Sequence, residues 1–550
     1  MVNKPLLLKT LRNLHHKKED TSSKFLLGIL SVGAILLVFL VVYLIGSAYL
    51  SRTVASMLPA KITALYLEIA DTELPPKLRD SAWSQIMNLQ PLLQLWGVDP
   101  ALIPSWAKKN VGVAVVKNKP VFFFRSASRR QALKFLKSME LNGEELGNRG
   151  TAQFPIYIYP QGQQFAFAFS GPYLFISTDV EVLKSIHAVF QGQEVALDKE
   201  TGFVSLSANL PQTTWLQGYL DLQSFGTPKL DALINPLRQF SSQLGFTVRQ
   251  TQEGFHFNSF LALNREVISL DPLPPRDPVR MTGLSEKIPA ESLISYLGGA
   301  DLASSWQNTL ASMEKLNPAY GILLEGMLRA QVNRIFGNNV SLADDLYPLF
   351  TGEYALTFSS LDDGKLGIGL TLTHGDMEGA RKKLKKLSEG FSLLAAQFTP
   401  QLLEVTLPDD TVSRELVADP DSLSLSHETY QGIDMDCVEV QASIYGFCYA
   451  VTDELMILAN HASLLKASID ALSSPDLSLA QSQAFRQGLS ALSQVNEEVS
   501  FVNLQSLAPL LQKTPWGQLL LPYLSPLDST TWVKHTFEDG MSTEGFVLIK

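Results

Sequence analysis

The chain has 550 residues, with 54 acidic against 44 basic for a net charge of −10. Such an acidic balance argues against nucleic acid as a partner, because phosphate binding needs concentrated Lys and Arg, and against electrostatic adhesion to anionic lipid. Two cysteines in so long a chain exclude a disulfide-rich scaffold.

The first expected element is a membrane span. No charged residue occurs from Phe25 to Ser51, and the centre reads Leu36-Leu37-Val38-Phe39-Leu40-Val41-Val42. About 20 apolar residues suffice to cross a bilayer core. A cleavable signal peptide is the alternative, with small residues at Gly46-Ser47-Ala48, although the apolar region of that class spans only about 7–15 residues. Lys4, Lys9, Arg12, Lys17, Lys18 and Lys24 precede the span, against Glu19 and Asp20, and only Arg52 and Lys61 follow closely. Residues 1–24 therefore read as a basic cytoplasmic tail, 25–51 as a transmembrane helix, and the rest as translocated. The tail sums to +4 and leaves −14 for the remainder. No second run of comparable length follows, so the protein is expected to be single-pass.

Beyond the span the sequence repeats itself. Leu58-Pro59-Ala60 and Tyr66-Leu67 return as Ile288-Pro289-Ala290 and Tyr296-Leu297, at an offset of 230. Asp221-Leu222-Gln223-Ser224 returns as Asn503-Leu504-Gln505-Ser506 at 282, and Glu253-Gly254 as Asp539-Gly540 at 286. Order is kept and the offset only grows, as duplication followed by loop insertion would produce. The expected domains are repeat 1 at 54–266, a Pro-rich linker at 267–281 and repeat 2 at 282–550, with insertions near 305–340 and 390–430. Pro272, Pro274, Pro275 and Pro278 make the linker stiff and extended.

Within repeat 1, Leu65-Tyr66-Leu67 starts a strand, and a helical stretch runs through Trp83 and Leu89 to Trp96. Val111–Val116 and Pro120–Arg125 read as a hairpin. Ser128 caps a helix with Ala132, Leu136 and Met139 on its core face. In repeat 2 Asp376 is the matching cap, before Ala380, Leu384 and Leu387, and all four pairs share an offset of 248. Strands follow at Ile156–Tyr159, Phe165–Phe169 and Tyr173–Ser177, and then a helix capped by Thr178. Its counterpart in repeat 2 is capped by Asn460. Phe165, Phe167 and Phe169 alternate with Ala166 and Ala168, a pattern suited to core packing or to lining a groove for an acyl chain. The repeat 2 additions centre on a helical stretch, Leu310–Phe336, and on an acidic segment, Asp409–Asp436, read as a solvated loop in preference to a calcium site. Strands come mostly as hairpins. The expected fold is therefore α+β: two tandem duplicated domains with mainly antiparallel sheets packed on helices, after one N-terminal transmembrane helix.

Met435–Val440 and Tyr445–Val451 form a hairpin in which pairing Val440 with Tyr445 sets Cys437 opposite Cys448. A disulfide between them is sterically allowed, and two small buried side chains that never bond are the alternative.

The Leu58-Pro59-Ala60 start leading to Leu65-Tyr66-Leu67, the Gly218-Tyr219-Leu220-Asp221-Leu222 strand, one N-terminal anchor and a large translocated region together resemble an uncharacterised bacterial family. It is known only as a domain of unknown function, family 3352. The resemblance implies a membrane-anchored envelope protein, placed in the bacterial inner membrane with its N-terminus cytoplasmic and its bulk periplasmic or otherwise extracytoplasmic. It supplies no catalytic residue.

The sequence carries little recognisable chemistry. No His-Glu-x-x-His zinc motif, Gly-x-Ser-x-Gly elbow or phosphate-cradling loop occurs. Asp363-Gly364-Lys365 reads as a hairpin turn. The Asp221/Asn503 pair reads as strand-terminating, with Gln223 and Gln505 bonding backbone. No catalytic residue, cofactor or metal is expected. The favoured function is a non-enzymatic protein-interaction or scaffold module with an envelope protein partner and no nucleic acid. A carrier of lipid or another hydrophobic ligand is the alternative, and a hydrolase with an unrecognised site the third.

Overall fold

The structure, a computed structural model, describes residues 53–82, 109–126, 130–132, 147–148, 156–225, 238–264 and 283–550, with short gaps inside these ranges. The expected span at 25–51, the Trp83–Trp96 helix, Leu136 and Met139 of the Ser128 helix and the linker at 267–281 lie outside the described residues. Among those described, no helix is long and apolar enough to cross a membrane.

The first half of the chain supplies β1 (Thr63–Asp71), β2 (Lys109–Val116), β3 (Lys119–Arg125), β4 (Gly147–Asn148), β5 (Ile156–Tyr159), β6 (Phe165–Ser170) and β7 (Tyr173–Ser177). Helices α1 (Val180–Phe190) and α2 (Thr201–Ala208) follow, then β8 (Leu216–Asp221), β9 (Ser241–Gln250) and β10 (Gly254–Leu263). The second half opens with β11 (Ile294–Gly298), α3 (Leu302–Leu316), α4 (Pro318–Phe336), β12 (Tyr354–Ser360), β13 (Leu366–Thr373) and α5 (Met377–Ala395). Next come β14 (Gln401–Thr406), β15 (Val412–Val417), β16 (Leu423–Tyr430), β17 (Ile433–Val440), β18 (Gly446–Val451), β19 (Leu455–Ala459) and α6 (Ala462–Ser473). The chain closes with α7 (Gln483–Ser490), β20 (Glu498–Asn503), α8 (Leu504–Leu511), α9 (Pro515–Leu524), β21 (Leu527–Thr536) and β22 (Gly540–Ile549).

Two compact units emerge: the chain up to Lys61 with Phe123–Asp198, and Ile62–Phe122 with Lys199–Lys550. In the smaller unit β4 to β7 form an antiparallel meander. Both faces of β6 are buried, Ala166, Phe167, Ala168 and Phe169 alike, so Phe167 and Phe169 are core and not a groove wall. The cap of α1 is Asp179, one residue beyond the expected Thr178; its carboxylate accepts from the Glu181 amide at 2.9 Å. The Ser177 hydroxyl already accepts the Asp179 amide, which ends the strand there and starts the helix one position later.

In the larger unit antiparallel pairing runs β2–β1–β8–β9–β10–β22–β21–β20–β11–β12–β13–β19–β18–β17–β16. A separate ribbon pairs β14 with β15. The protein is thus a mixed α and β fold with a large antiparallel sheet. One core packs Ile288, Leu297, Phe485, Phe501, Val533 and Phe546. A second gathers α5 over β17–β19, and a third lies under α6 on the opposite face of the same strands.

Several expectations need correction. The Leu310–Phe336 stretch is two helices, because Pro318 has no amide hydrogen to continue α3 and Asn317 caps α4 by accepting from the Ala319 amide at 3.0 Å. The α6 cap is His461 and not Asn460. The Asn460 side chain instead joins strand ends, accepting from the Ile368 amide and donating to the Leu366 and Ile444 carbonyls. Asp409–Asp436 is largely strand and not loop. Thr429 and His427 on β16 bond Asp434 and Asp436 on β17, and Gln431-Gly432, both at positive φ, make the tight turn between them. Gln223 bonds the Arg238 carbonyl, but Gln505 bonds the Asp528 carboxylate.

Candidate functional site

An apolar cavity of about 410 Å³ lies under helices α3 and α4. Its floor is the sheet, through Leu372, Phe447, Met456 and Leu458. Its walls are Leu384 and Leu387 on α5, Leu328, Val332 and Phe336 on α4, and Leu302, Ala303 and Trp306 on α3. Leu342, Leu346, Tyr347, Leu349 and Phe350 close the far side.

Local sequence explains each wall. On α5 the buried positions Ala380, Leu384, Leu387, Phe391 and Ala395 recur at three- and four-residue spacing, and Asp376 caps the helix by accepting from the Gly379 amide at 2.9 Å. Gly390 lets the end of α4 come close, since a side-chain carbon there would lie 2.1 Å from the Phe336 carbonyl oxygen. Gly337, at φ +85°, then ends α4. Phe336, Phe391 and Phe447 pack ring on ring with centroids 5.6 to 6.3 Å apart. The far wall starts as a π-helical turn, Leu342–Leu346, capped by Ser341.

Two polar features lie at or beside this lining. Asp345, between Leu342 and Leu346, is 7% exposed; it accepts from Lys386 Nζ at 2.6 Å and from the Ser341 amide at 2.7 Å. Burial alone would raise its carboxyl, but those two hydrogen bonds and the charges of Lys386 and Lys383 outweigh it and hold the group below its ordinary range. The Trp306 indole nitrogen is buried with no hydrogen-bond partner.

Among the described residues, other chemistry-bearing groups form no comparable site. Cys437 and Cys448 are directly paired across β17 and β18, with Cα atoms 4.0 Å apart, and are joined as a disulfide buried under α6. The Tyr66 hydroxyl donates to Glu68, which also accepts from Gln217 and Asn110 in a part-buried network. Burial, and then a hydrogen bond to Glu498, push the Tyr296 hydroxyl far up. Ser493 Oγ lies 3.3 Å from His535 Nε2, but the contact is exposed and Glu544 accepts from the Ser493 amide. Among the described residues no group of three or more His, Cys, Asp or Glu is arranged to hold a metal ion. Asp221 and Asn503 each end a strand, accepting from the Gln223 and Ser506 amides.

Sequence reasoning located an addition near 305–340 but did not single out Trp306, Asp345 or Lys386. A legible signal was present in the run Arg381-Lys382-Lys383-Leu384-Lys385-Lys386, five cations on one helix of an acidic chain.

No curated protein and no solved structure matches the chain. A family model described as a protein of unknown function, DUF3352, matches residues 121–393 and 395–530. That is well over half of the sequence, and the chain belongs to that family.

Proposed function

We propose that this protein is a single-pass, membrane-anchored binder of a hydrophobic ligand, working at the extracytoplasmic face of a bacterial inner membrane. The apolar cavity carries the reading. Its volume lies within the range of small-molecule sites, and its walls are almost wholly aliphatic and aromatic, which suits an apolar guest and offers nothing to a sugar or nucleotide. The uncharged run at 25–51 and the basic tail before it supply the anchor and its orientation.

The ectodomain is, in the same proposal, a tandem duplication in which the second copy gained the ligand site. Backbone hydrogen bonds repeat at the sequence offsets. The Ala60 amide donates to Val195 and the Ala290 amide to Leu477; Leu197 donates to Leu58 and Leu479 to Ile288. Ser126 donates to Pro172 as His374 does to Glu454, and Thr251 to Gly254 as Phe537 does to Gly540. The β10–β22 register supports a two-fold seam: Asn258 faces Glu544, its own counterpart at an offset of 286. The cavity-forming helices α3 and α4 fall within the first expected insertion.

A protein-interaction or scaffold role is the second reading. Tyr320, Leu323 and Met327 are exposed at three- and four-residue spacing on α4, beside exposed Ile322, an apolar row suited to an envelope protein partner. Full-length protein purified gently from membranes separates the two. Organic extraction after denaturation should release about one hydrophobic molecule per chain, and Ala303→Phe should abolish it. Clean protein with a crosslinked partner on α4 would sink the ligand reading and promote the scaffold.

A further inference from the structure

We infer that the cavity's ligand is a single-chain amphiphile with an anionic oxygen head group, its chain among the apolar walls and its head at Lys383 and Lys386. The inference rests on the hydrophobic-ligand reading and names the class of ligand.

Shape and lining come first. At about 410 Å³ the cavity lies near the lower end of small-molecule sites, which suits one chain better than several.

Charge comes second. Lys386 lies on α5 between Leu384 and Leu387 in sequence, and Asp345 on the π-turn next to Leu346, so their ion pair joins two elements that wall the cavity while standing outside its apolar lining. Lys383, next to Leu384, acts on the same carboxylate. With the neighbouring Asp344 counted, two ammonium groups stand against two carboxylates at this edge, and the positive surplus comes from the rest of α5. Across α5, Arg381, Lys382 and Lys385 against Glu378 and Glu389 extend that field, within a chain of net −10. A neutral guest has no use for such a wall, whereas a carboxylate or phosphate is drawn to it.

The third observation is the Trp306 indole N–H, buried without a hydrogen-bond partner although Trp306 is one of the lining residues. Buried donors are ordinarily satisfied, and a head-group oxygen would satisfy this one.

The test uses full-length protein stripped of bound lipid and held in phosphatidylcholine nanodiscs, with circular dichroism melts to check folding. Binding of radiolabelled palmitate, lysophosphatidylglycerol and hexadecanol is compared. At least one of the two anions should bind ten-fold or more tighter than hexadecanol, and which one does identifies the head as a free carboxylate or a lipid phosphate. Lys383→Gln, at a partly exposed position, should weaken the anion three- to ten-fold and leave hexadecanol unchanged. Trp306→Phe should weaken the anion several-fold. Hexadecanol binding as tightly as both anions, or losing as much in Lys383→Gln, would overturn the inference while leaving the hydrophobic-ligand reading intact. Failure of all three probes to bind would sink that reading itself.

Discussion

Strands β17, β18 and β19 carry two different interiors on their two faces. On one face Cys437, Cys448, Ala450, Ile457 and Ala459 pack against Leu464, Leu465 and Ile469 of α6. On the other, Val438, Val440, Phe447, Tyr449 and Met456 meet α5, and the 410 Å³ cavity opens there. Side chains alternate along each strand, so the same backbone supplies both. The closed face uses small residues and a disulfide, which let α6 seat directly on the sheet. The open face uses large rings: Phe336, Phe391 and Phe447 pack on one another where the end of α4 comes close to α5, and the void lies beside that cluster.

The largest blow to this arrangement falls on the closed face. Replacing Cys437 and Cys448 together by Ala frees an 11-residue separation in the unfolded chain and should lower stability by about 2–3 kcal/mol. Urea unfolding of wild type with and without reductant, beside the double variant, measures it. Ligand content should stay the same; a parallel loss of ligand would show that the faces are not independent.

On the open face the Asp345–Lys386 pair ties the π-turn wall to α5. Asp345→Ala leaves the Ser341 amide without its acceptor and should cost about 2 kcal/mol, less than a fully buried pair because Lys386 is 44% exposed. Its pH signature has a definite sign. The folded carboxyl is depressed below its ordinary value of 3.8, so unfolding takes up a proton in acid. The contribution is complete above 3.8 and fades as the pH drops through the lower folded value. Unfolding midpoints of wild type and variant should converge on acidification, and a constant gap across that range would contradict the assignment.

How much of this was legible follows from the range of the interactions involved. The α5 face was readable because Ala380, Leu384 and Leu387 follow a local period, and the Cys437–Cys448 facing register because a short hairpin fixes its own pairing. Caps were placed within one residue, since Thr178 and Asp179, or Asn460 and His461, are all competent acceptors and only the strand ends choose between them. Asp409–Asp436 misled because exposed strands carry the same charges as loops; cross-strand partners such as His427 for Asp436 become visible only once the strands pair. The cavity was not legible at all. It depends on Trp306, Leu346 and Phe447 lining one space from distant stretches of chain, and no local pattern of apolar residues tells a void from a filled core.

The smallest expected effect on stability is the sharpest on function. Ala303 lines the void from α3, so a phenylalanine there grows into empty volume and does not displace packed neighbours. Overpacking a tight core costs about 1–3 kcal/mol, but here the buried ring offsets the ordering of its own side chain, and the melting transition should move by less than about 1 kcal/mol. Ligand uptake should nevertheless fall at least ten-fold, because the ring takes the space the chain needs. Unchanged uptake with unchanged stability would place the ligand elsewhere and leave the open face as merely loose. A large destabilisation would mean that the helices already close over the hole in solution. Only a stable, empty variant keeps the contrast between the two faces as one of function, with α6 holding the sheet and α3 and α4 holding a guest.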